Sequence, residues 1–210
     1  MRVWAVALAA ATAVLAVFVI SAHGPTGVDR SALRFALDHR AHLVGVSRLM
    51  SHLGDPVISV ALALVAALVL WRAKSRLVLA AVPIVALLGA AATGVVAKHL
   101  VARARPPAVY HLVHETDYSF PSGHVTAAAA LYVACALVAG ASLPHRARPI
   151  ALGVAIATAL AVGAARLLLG VHWLTDVLTG FTLGTTWAIT AFSVGSARVW
   201  TTPHRARPSP

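Results

Sequence analysis

The sequence predicts an all-α integral membrane protein: a bundle of six membrane-spanning helices with an amphipathic helix at the outer interface. Hydrophobic residues make up 60% of the 210 residues, which leaves too little polar surface to cover a soluble globule of this size. Six apolar segments approach or reach the roughly 20 residues that a helix needs to cross about 30 Å of hydrocarbon. Many of the basic residues lie in the segments between these spans and in the C-terminal tail.

The six predicted spans are rich in Ala, Gly, Val and Leu. Small residues let helix backbones approach closely where lipid gives no hydrophobic drive for association. The second span is short, and we expect residues 53–55 to extend it into the interface. The spans cover residues 3–22, 56–71, 77–97, 125–143, 150–169 and 173–194.

The first apolar segment raises the question of a cleavable signal peptide. Met1-Arg2 precedes it, and Ser21-Ala22 offers small residues for cleavage. However, its apolar run of about 20 residues is longer than the roughly 7 to 15 residues of a signal core. We therefore expect residues 1–27 to form a retained transmembrane anchor.

Residues 28–53 have a helical pattern but are too charged to cross the membrane. Arg30, Arg34 and Asp38 recur every four residues, and a broad apolar face accompanies them. This pattern predicts one amphipathic helix that rests in the outer interface. Its role is open between packing over the bundle and guiding a ligand into it.

The basic residues of the short loops predict the orientation of the bundle. With six crossings, Arg2, the 72–76 turn, the 145–148 turn and the tail lie on one side, and short basic loops stay in the cytoplasm. Both termini are then cytoplasmic, and we expect the basic tail at residues 196–210 to be disordered. Because much of the net charge of +11 follows from this topology, we expect no nucleic-acid partner.

Basic residues also stand on the opposite side, against the usual trend, and such an exception asks for a functional cause. Lys98, Arg103 and Arg105 follow the third span, and Arg166 lies near the end of the fifth. Taken singly, each cation is more often a side chain that snorkels to the interface. Together, Lys98, Arg105 and Arg166 supply fixed positive donors for a phosphate, and arginine adds a planar, bidentate geometry.

The sequence Pro121-Ser122-Gly123-His124 stands directly before the fourth span. Ser122 is well placed to cap that helix, and Gly123 lets the backbone approach a ligand. Free amides at the positive helix end predict an anion cradle, although a Ser-Gly pair before a helix is by itself more often only a cap. His124 lies beside the cradle, where it could act as a general acid.

His172 and Asp176 are four residues apart at the start of the sixth span, so they share a helix face and can hydrogen-bond. The carboxylate would take one imidazole N–H and leave the other nitrogen as a nucleophile. Asp176 is also the one acidic residue inside a predicted span, where an ionisable group is costly. A structural His-Asp pair remains an alternative. A metal pair lacks further ligands, and the single cysteine, Cys135, adds no cluster.

Written with gaps, these residues form K-x6-RP, PSGH and R-x5-H-x3-D, in that order. The set resembles the type 2 phosphatidic acid phosphatase (PAP2) superfamily of lipid phosphatases, and the likeness covers residues 54–195. The resemblance implies a helical catalytic core and a metal-independent hydrolase without a cofactor. The roles that it implies fall on a nucleophile that forms a phosphohistidine, His172; its orienting carboxylate, Asp176; an acid and base, His124; and phosphate-binding groups, Lys98, Arg105, Ser122, Gly123 and Arg166.

One position departs from the family pattern: serine usually precedes the arginine of the third motif, whereas this chain has Ala165. The change puts one accessory hydrogen bond in question and leaves the nucleophile in place. Two other function classes stay open, a phosphotransferase that passes the phosphoryl group to an alcohol and a non-catalytic lipid carrier. The related vanadium haloperoxidases are soluble, so the six spans argue against their chemistry.

The expected partners are the lipid bilayer and a lipid phosphate from the outer leaflet. Phosphatidic acid, phosphatidylglycerophosphate and polyprenyl pyrophosphate are all plausible substrates, and no obligate protein partner is evident. The preference for arginine over lysine, with abundant alanine, indicates a GC-rich bacterial genome. We therefore expect a bacterial cell-membrane protein whose site faces the extracytoplasmic side.

Overall fold

A computed structural model describes residues 1–74 and 77–201, and its regular structure there is helical. Six helices or helix pairs in this part of the chain are long and apolar enough to cross a membrane. The predicted all-α bundle of six spans is therefore confirmed. The helices are α1 (Arg2–Ser21), α2 (Gly27–His39), α3 (Val44–His52), α4 (Pro56–Lys74), α5 (Leu77–Ala80), α6 (Val82–Val101), α7 (Gly123–Gly140), α8 (Ala147–Leu168) and α9 (Leu174–Thr201), with a 3₁₀ turn at Ala108–Tyr110.

The second and third spans begin with local backbone features. The carboxylate of Asp55 accepts the backbone N–H groups of Val57 and Ile58, so it caps α4 at its first turn. The third span is divided into α5 and α6 at Ala81, and Pro83 stands in the first turn of α6. Proline is tolerated there because its missing N–H has no partner in a first turn.

The segment predicted as one amphipathic helix forms two helices, and the prediction of a continuous helix was wrong. Thr26 and Asp29 make a reciprocal capping box at the start of α2. The chain then turns after His39, and α3 begins at Val44. The turn lets α3 pack against α8, while α2 contacts both α8 and α9. The buried positions of α2 include a charged residue, Asp29, beside Leu33 and Ala36.

The last helix is longer than the sequence suggested. The predicted span ended at residue 194, whereas α9 continues to Thr201. Residues 196–201, which we expected to belong to a disordered tail, are therefore helical. The remainder of that prediction, residues 202–210, lies outside the described residues.

Helix α7 is the centre of the bundle and packs against α4, α6, α8 and α9. Its contact with α9 is close because two glycines of α9 face it. A Cβ at Gly180 would lie 2.8 Å from the backbone oxygen of Ser122, and one at Gly184 would lie 2.4 Å from that of Thr126. This small-residue contact brings the first turns of α7 and α9 together.

Candidate active site

One cavity of about 410 Å³ lies where α6 ends and α7 begins. Residues from the loop after α6, from the loop before α7 and from the segment between α8 and α9 complete it. The fold thus joins parts of all three sequence motifs, although they are up to 74 positions apart, from residue 98 to residue 172. The polar residues at this end of the cavity are Lys98, His99, Arg105, Glu115, Asp117, His124 and His172.

The other wall of the cavity is apolar and comes from two membrane-spanning helices. Val60 of α4 and Leu88 and Val95 of α6 line it, and all three are also exposed on the outside of the protein. Exposed apolar side chains on a span face lipid. The cavity therefore joins a polar, charged end to a wall that is continuous with the lipid-facing surface.

His172 lies between α8 and α9 and is buried. Its Nε2 atom is 3.2 Å from Nη1 of Arg105. Because a guanidinium only donates, Nε2 must be the unprotonated nitrogen if this bond forms. Burial lowers the pKa of His172 to about 4, although Asp176 opposes the shift. The ring is thus neutral at neutral pH and carries its lone pair on the side of Arg105.

The four-residue spacing predicted that His172 and Asp176 share a helix face, but His172 lies before α9, which begins at Leu174. Asp176 still faces the other ring nitrogen, at a long distance. Nδ1 of His172 lies 3.5 Å from Oδ2 of Asp176, and it makes no hydrogen bond to any described residue. The same oxygen accepts the backbone N–H of Trp173 at 2.9 Å, and Oδ1 accepts Nη1 of Arg103 at 2.5 Å. Two donors therefore fix the carboxylate beside the imidazole.

All three predicted phosphate-binding cations are already paired with carboxylates of one loop. Lys98 is 2.8 Å from Asp117, and Arg105 contacts both Asp117 and Glu115. Arg166 also contacts Glu115 and donates to Oγ of Ser51 at 2.9 Å. Arg166 is buried behind Glu115 and does not itself line the cavity.

Electrostatics keep this loop anionic. Burial raises the pKa of Glu115, but the positive charges of Arg166 and Arg105 outweigh burial, and the net shift is downward. The pKa of Asp117 is likewise lowered, because its bonds with Lys98 and Arg105 outweigh burial. An incoming phosphate must compete with these two carboxylates for the same cations.

The PSGH segment occupies the predicted place, but Ser122 does not cap α7 with its side chain. Its hydroxyl is buried and makes no hydrogen bond, and its backbone N–H donates to the carbonyl of Asp176 at 3.1 Å. The predicted anion cradle thus loses the Ser122 amide. Gly123 and His124 line the cavity at the uncapped start of α7, so the amides of this turn remain available there.

Sequence reasoning missed four charged residues at this end of the bundle: Asp29, Arg103, Glu115 and Asp117. Arg103 had been noted only as one of several external cations. The scarcity of acidic residues could have pointed to them. The chain has only six, and four lie in this region: Asp29, Glu115, Asp117 and Asp176. Among residues 1–74 and 77–201, no group of three or more His, Cys, Asp or Glu side chains is placed to hold a metal ion.

The model of the PAP2 superfamily matches residues 79–200 of this chain. The chain belongs to the PAP2 superfamily. The matched residues include all three motifs. This PAP2 protein has Ala165 at the position before Arg166 where serine is usual. Ala165 is buried beside Arg166 and cannot donate a side-chain hydrogen bond.

Known PAP2 proteins are similar over different lengths. A phosphatidylglycerophosphatase B of Bacillus subtilis is 43% identical over 91 residues, which is 42% of this chain and 44% of that protein. A decaprenylphosphoryl-5-phosphoribose phosphatase of Mycobacterium tuberculosis is 34% identical over 171 residues, 80% of this chain and 89% of that protein. The match thus spans less than half of the first relative and most of the second.

A solved structure shares the whole architecture. It is the crystal structure of a transmembrane PAP2 type phosphatidylglycerolphosphate phosphatase from Bacillus subtilis, with a TM-score of 0.81 and 25% identity. The superposition covers 96% of this chain and 98% of that one. Together, the relatives support a multi-pass membrane protein and a lipid phosphate phosphatase of PAP2 type.

Proposed function

We propose that this protein hydrolyses a lipid phosphate or pyrophosphate through a phosphohistidine at His172, without a metal ion. The observation that carries the proposal is the environment of His172. Its Nε2 faces Arg105 and its Nδ1 faces the fixed carboxylate of Asp176. A buried neutral imidazole held in this way is a nucleophile directed at the place where cations would bind phosphate.

In the first step, Nε2 of His172 attacks phosphorus and the bond to the leaving oxygen breaks. His124 gives its proton to that oxygen, so that a phosphate monoester releases a neutral alcohol and a pyrophosphate releases the lipid monophosphate. Lys98 and Arg105 hold the phosphoryl oxygens, with the amide of Gly123 at the start of α7, and Arg166 joins them once the phosphate displaces Glu115. Because the transition state spreads charge over these oxygens, preorganised donors supply much of the stabilisation.

In the second step, the now neutral His124 takes a proton from water. The hydroxide attacks phosphorus, the P–N bond to His172 breaks, and inorganic phosphate leaves. Asp176 holds Nδ1–H throughout and stabilises the positive charge that the ring gains while it carries phosphate. Both protons are thereby accounted for, and His124 is protonated again for the next cycle.

The apolar wall supports a lipid as the leaving group. A hydrocarbon chain beside Val60, Leu88 and Val95 would remain in contact with the bilayer while its phosphate reaches the polar end. The substrate candidates are phosphatidic acid, phosphatidylglycerophosphate and polyprenyl pyrophosphate. A polyprenyl-linked sugar phosphate joins them, because the relative that matches 80% of this chain is named for such a lipid.

A panel of these lipids with purified full-length protein tests the function. We expect inorganic phosphate to be released from at least one of them, and we expect EDTA to leave the rate unchanged because the proposed chemistry uses only protein groups. Loss of activity in EDTA that magnesium restores would contradict the metal-independent mechanism. Transfer of the phosphoryl group to an added alcohol, with no phosphate released, would identify a phosphotransferase instead.

We further propose that the site faces outward and that both termini are cytoplasmic, because the basic turn at residues 145–148 lies at the other end of α7 from the site. Thr116, in the loop beside the site, and Ala141, in the turn after α7, are both exposed. In a Cys135→Ala background, Thr116→Cys should react with an impermeant thiol reagent on intact cells. Ala141→Cys should react only after lysis, and the reverse pattern would invert the proposed topology.

A further inference from the structure

The carboxylate that faces His172 belongs to a buried ionic network that the proposed chemistry does not itself require. Nη1 of Arg103 donates to Asp176, and Nη2 donates to Asp29 at 2.7 Å. All three side chains are buried, with Asp29 and Asp176 fully excluded from solvent. One guanidinium therefore links the first turn of α2 to the first turn of α9.

We propose that Arg103 and Asp29 are positioning residues that hold Asp176, and through it His172, in place for attack on phosphorus. The inference rests on the proposed function and assigns α2 a part in it beyond covering the bundle. The geometry requires an arginine, because two separate nitrogens of one plane reach two carboxylates. A lysine would place one ammonium between them.

Asp29 also fixes the start of α9 directly. Its Oδ1 accepts the backbone N–H of Thr175 at 2.9 Å and the hydroxyl of Thr175 at 2.9 Å. The same hydroxyl accepts Nη1 of Arg103 at 2.8 Å, which closes the network. Thr175 precedes Asp176, so Asp29 restrains the backbone on which the orienting carboxylate stands.

The net charge of the network favours the chemistry as well as the geometry. Two carboxylates and one guanidinium leave one negative charge next to Nδ1 of His172. The imidazole gains positive charge when Nε2 bonds to phosphorus, whereas Arg105 and Arg166 lie near the ring and oppose that charge. A buried negative charge beside the ring therefore stabilises the transition state more than the bound substrate.

The pKa of Asp29 is consistent with a permanent charge. Burial raises it, but bonds from Thr175, Thr26 and Arg103 outweigh burial and lower it overall. Leaving one partner of such a buried cluster unpaired is costly, so Arg103→Met is at risk of misfolding. Asp29→Asn keeps the size of the side chain, removes its charge and replaces one of the two accepting oxygens by an NH2 group, and it is the deciding variant.

Turnover of a short-chain lipid phosphate by the purified full-length protein tests the proposal. We expect Asp29→Asn to lower kcat by about tenfold and to leave KM within about twofold, because the phosphate-binding cations are untouched. Arg103→Met should lower kcat by about 100-fold. The kcat of Arg103→Lys should lie between those of wild type and Arg103→Met, because lysine keeps the positive charge but lacks the two separate nitrogens of the guanidinium.

Two variants on the same stretch of chain separate catalysis from structural support. Leu33→Ala removes a buried apolar side chain of α2 but no charge and no hydrogen bond, and it should lower Tm with kcat within about twofold of wild type. Asp38→Asn, on the exposed face of α2, should change neither quantity.

The proposal is overturned if Asp29→Asn keeps the wild-type kcat, or if Leu33→Ala reduces kcat as much as Asp29→Asn does. The two failures are distinguishable. If wild type releases phosphate and Asp29→Asn has the wild-type kcat, the proposed function is retained and only the positioning role is rejected. If wild type releases no phosphate from any lipid, both proposals fall.

Discussion

Replacing His172 by alanine is expected to abolish turnover while the protein stays folded in the membrane. The variant removes the proposed nucleophile, and the loss of a nucleophile typically lowers kcat by about 10⁴-fold or more. Phosphate release and thermal unfolding should be measured on the same preparation. In wild type, rapid acid-free quenching with radiolabelled substrate should trap phosphate on His172.

A matched histidine variant controls for the general effect of losing an imidazole. His145 is exposed in the turn after α7, at the other end of that helix from the site, so His145→Ala should retain wild-type kcat. Substantial turnover by His172→Ala, or label trapped on another residue, would sink the phosphohistidine mechanism. If His172→Ala shows neither activity nor cooperative unfolding, the test should be repeated with His172→Gln. The glutamine amide is similar in size to the imidazole but has no nucleophilic nitrogen.

His124→Ala is expected to be nearly as severe for ordinary lipid phosphates, because the leaving alkoxide then departs without a proton. General acid catalysis is typically worth about 10²- to 10⁴-fold, and kcat should fall by a factor in this range. A substrate whose leaving group is already acidic needs little protonation. We expect an aryl phosphate to retain more of its wild-type rate in His124→Ala than a lipid phosphate does.

The comparison of two leaving groups makes the result specific to proton donation. If His124 only bound phosphate, both substrates would lose rate equally, and KM would rise for both. Equal losses for the aryl and the lipid phosphate would therefore contradict the general-acid role. Hydrolysis of the phosphohistidine offers a further check. In His124→Ala the attacking water lacks its general base, so the phosphohistidine should persist longer than in wild type.

The six spans were predictable because the membrane imposes a length and a composition on each of them independently of the others. At the motifs, spacing alone predicted that His172 and Asp176 lie side by side, and they do, although His172 precedes α9 and is not part of it. Boundaries were less well determined. The 28–53 segment became two helices because α3 packs against α8, a contact that no periodicity within the segment encodes.

Some features of the site could likewise be predicted from the sequence, and others only from the tertiary structure. The sequence by itself determined which residues lie at the ends of the spans, because charge and hydropathy act locally. Only the tertiary structure decided which carboxylates the cations hold: Glu115 and Asp117 on the phosphate-binding side, Asp29 with Arg103 behind Asp176. The physical reason is that a buried charge must find its partner across the packed bundle, and Asp29 and Arg103 are 74 residues apart in the chain.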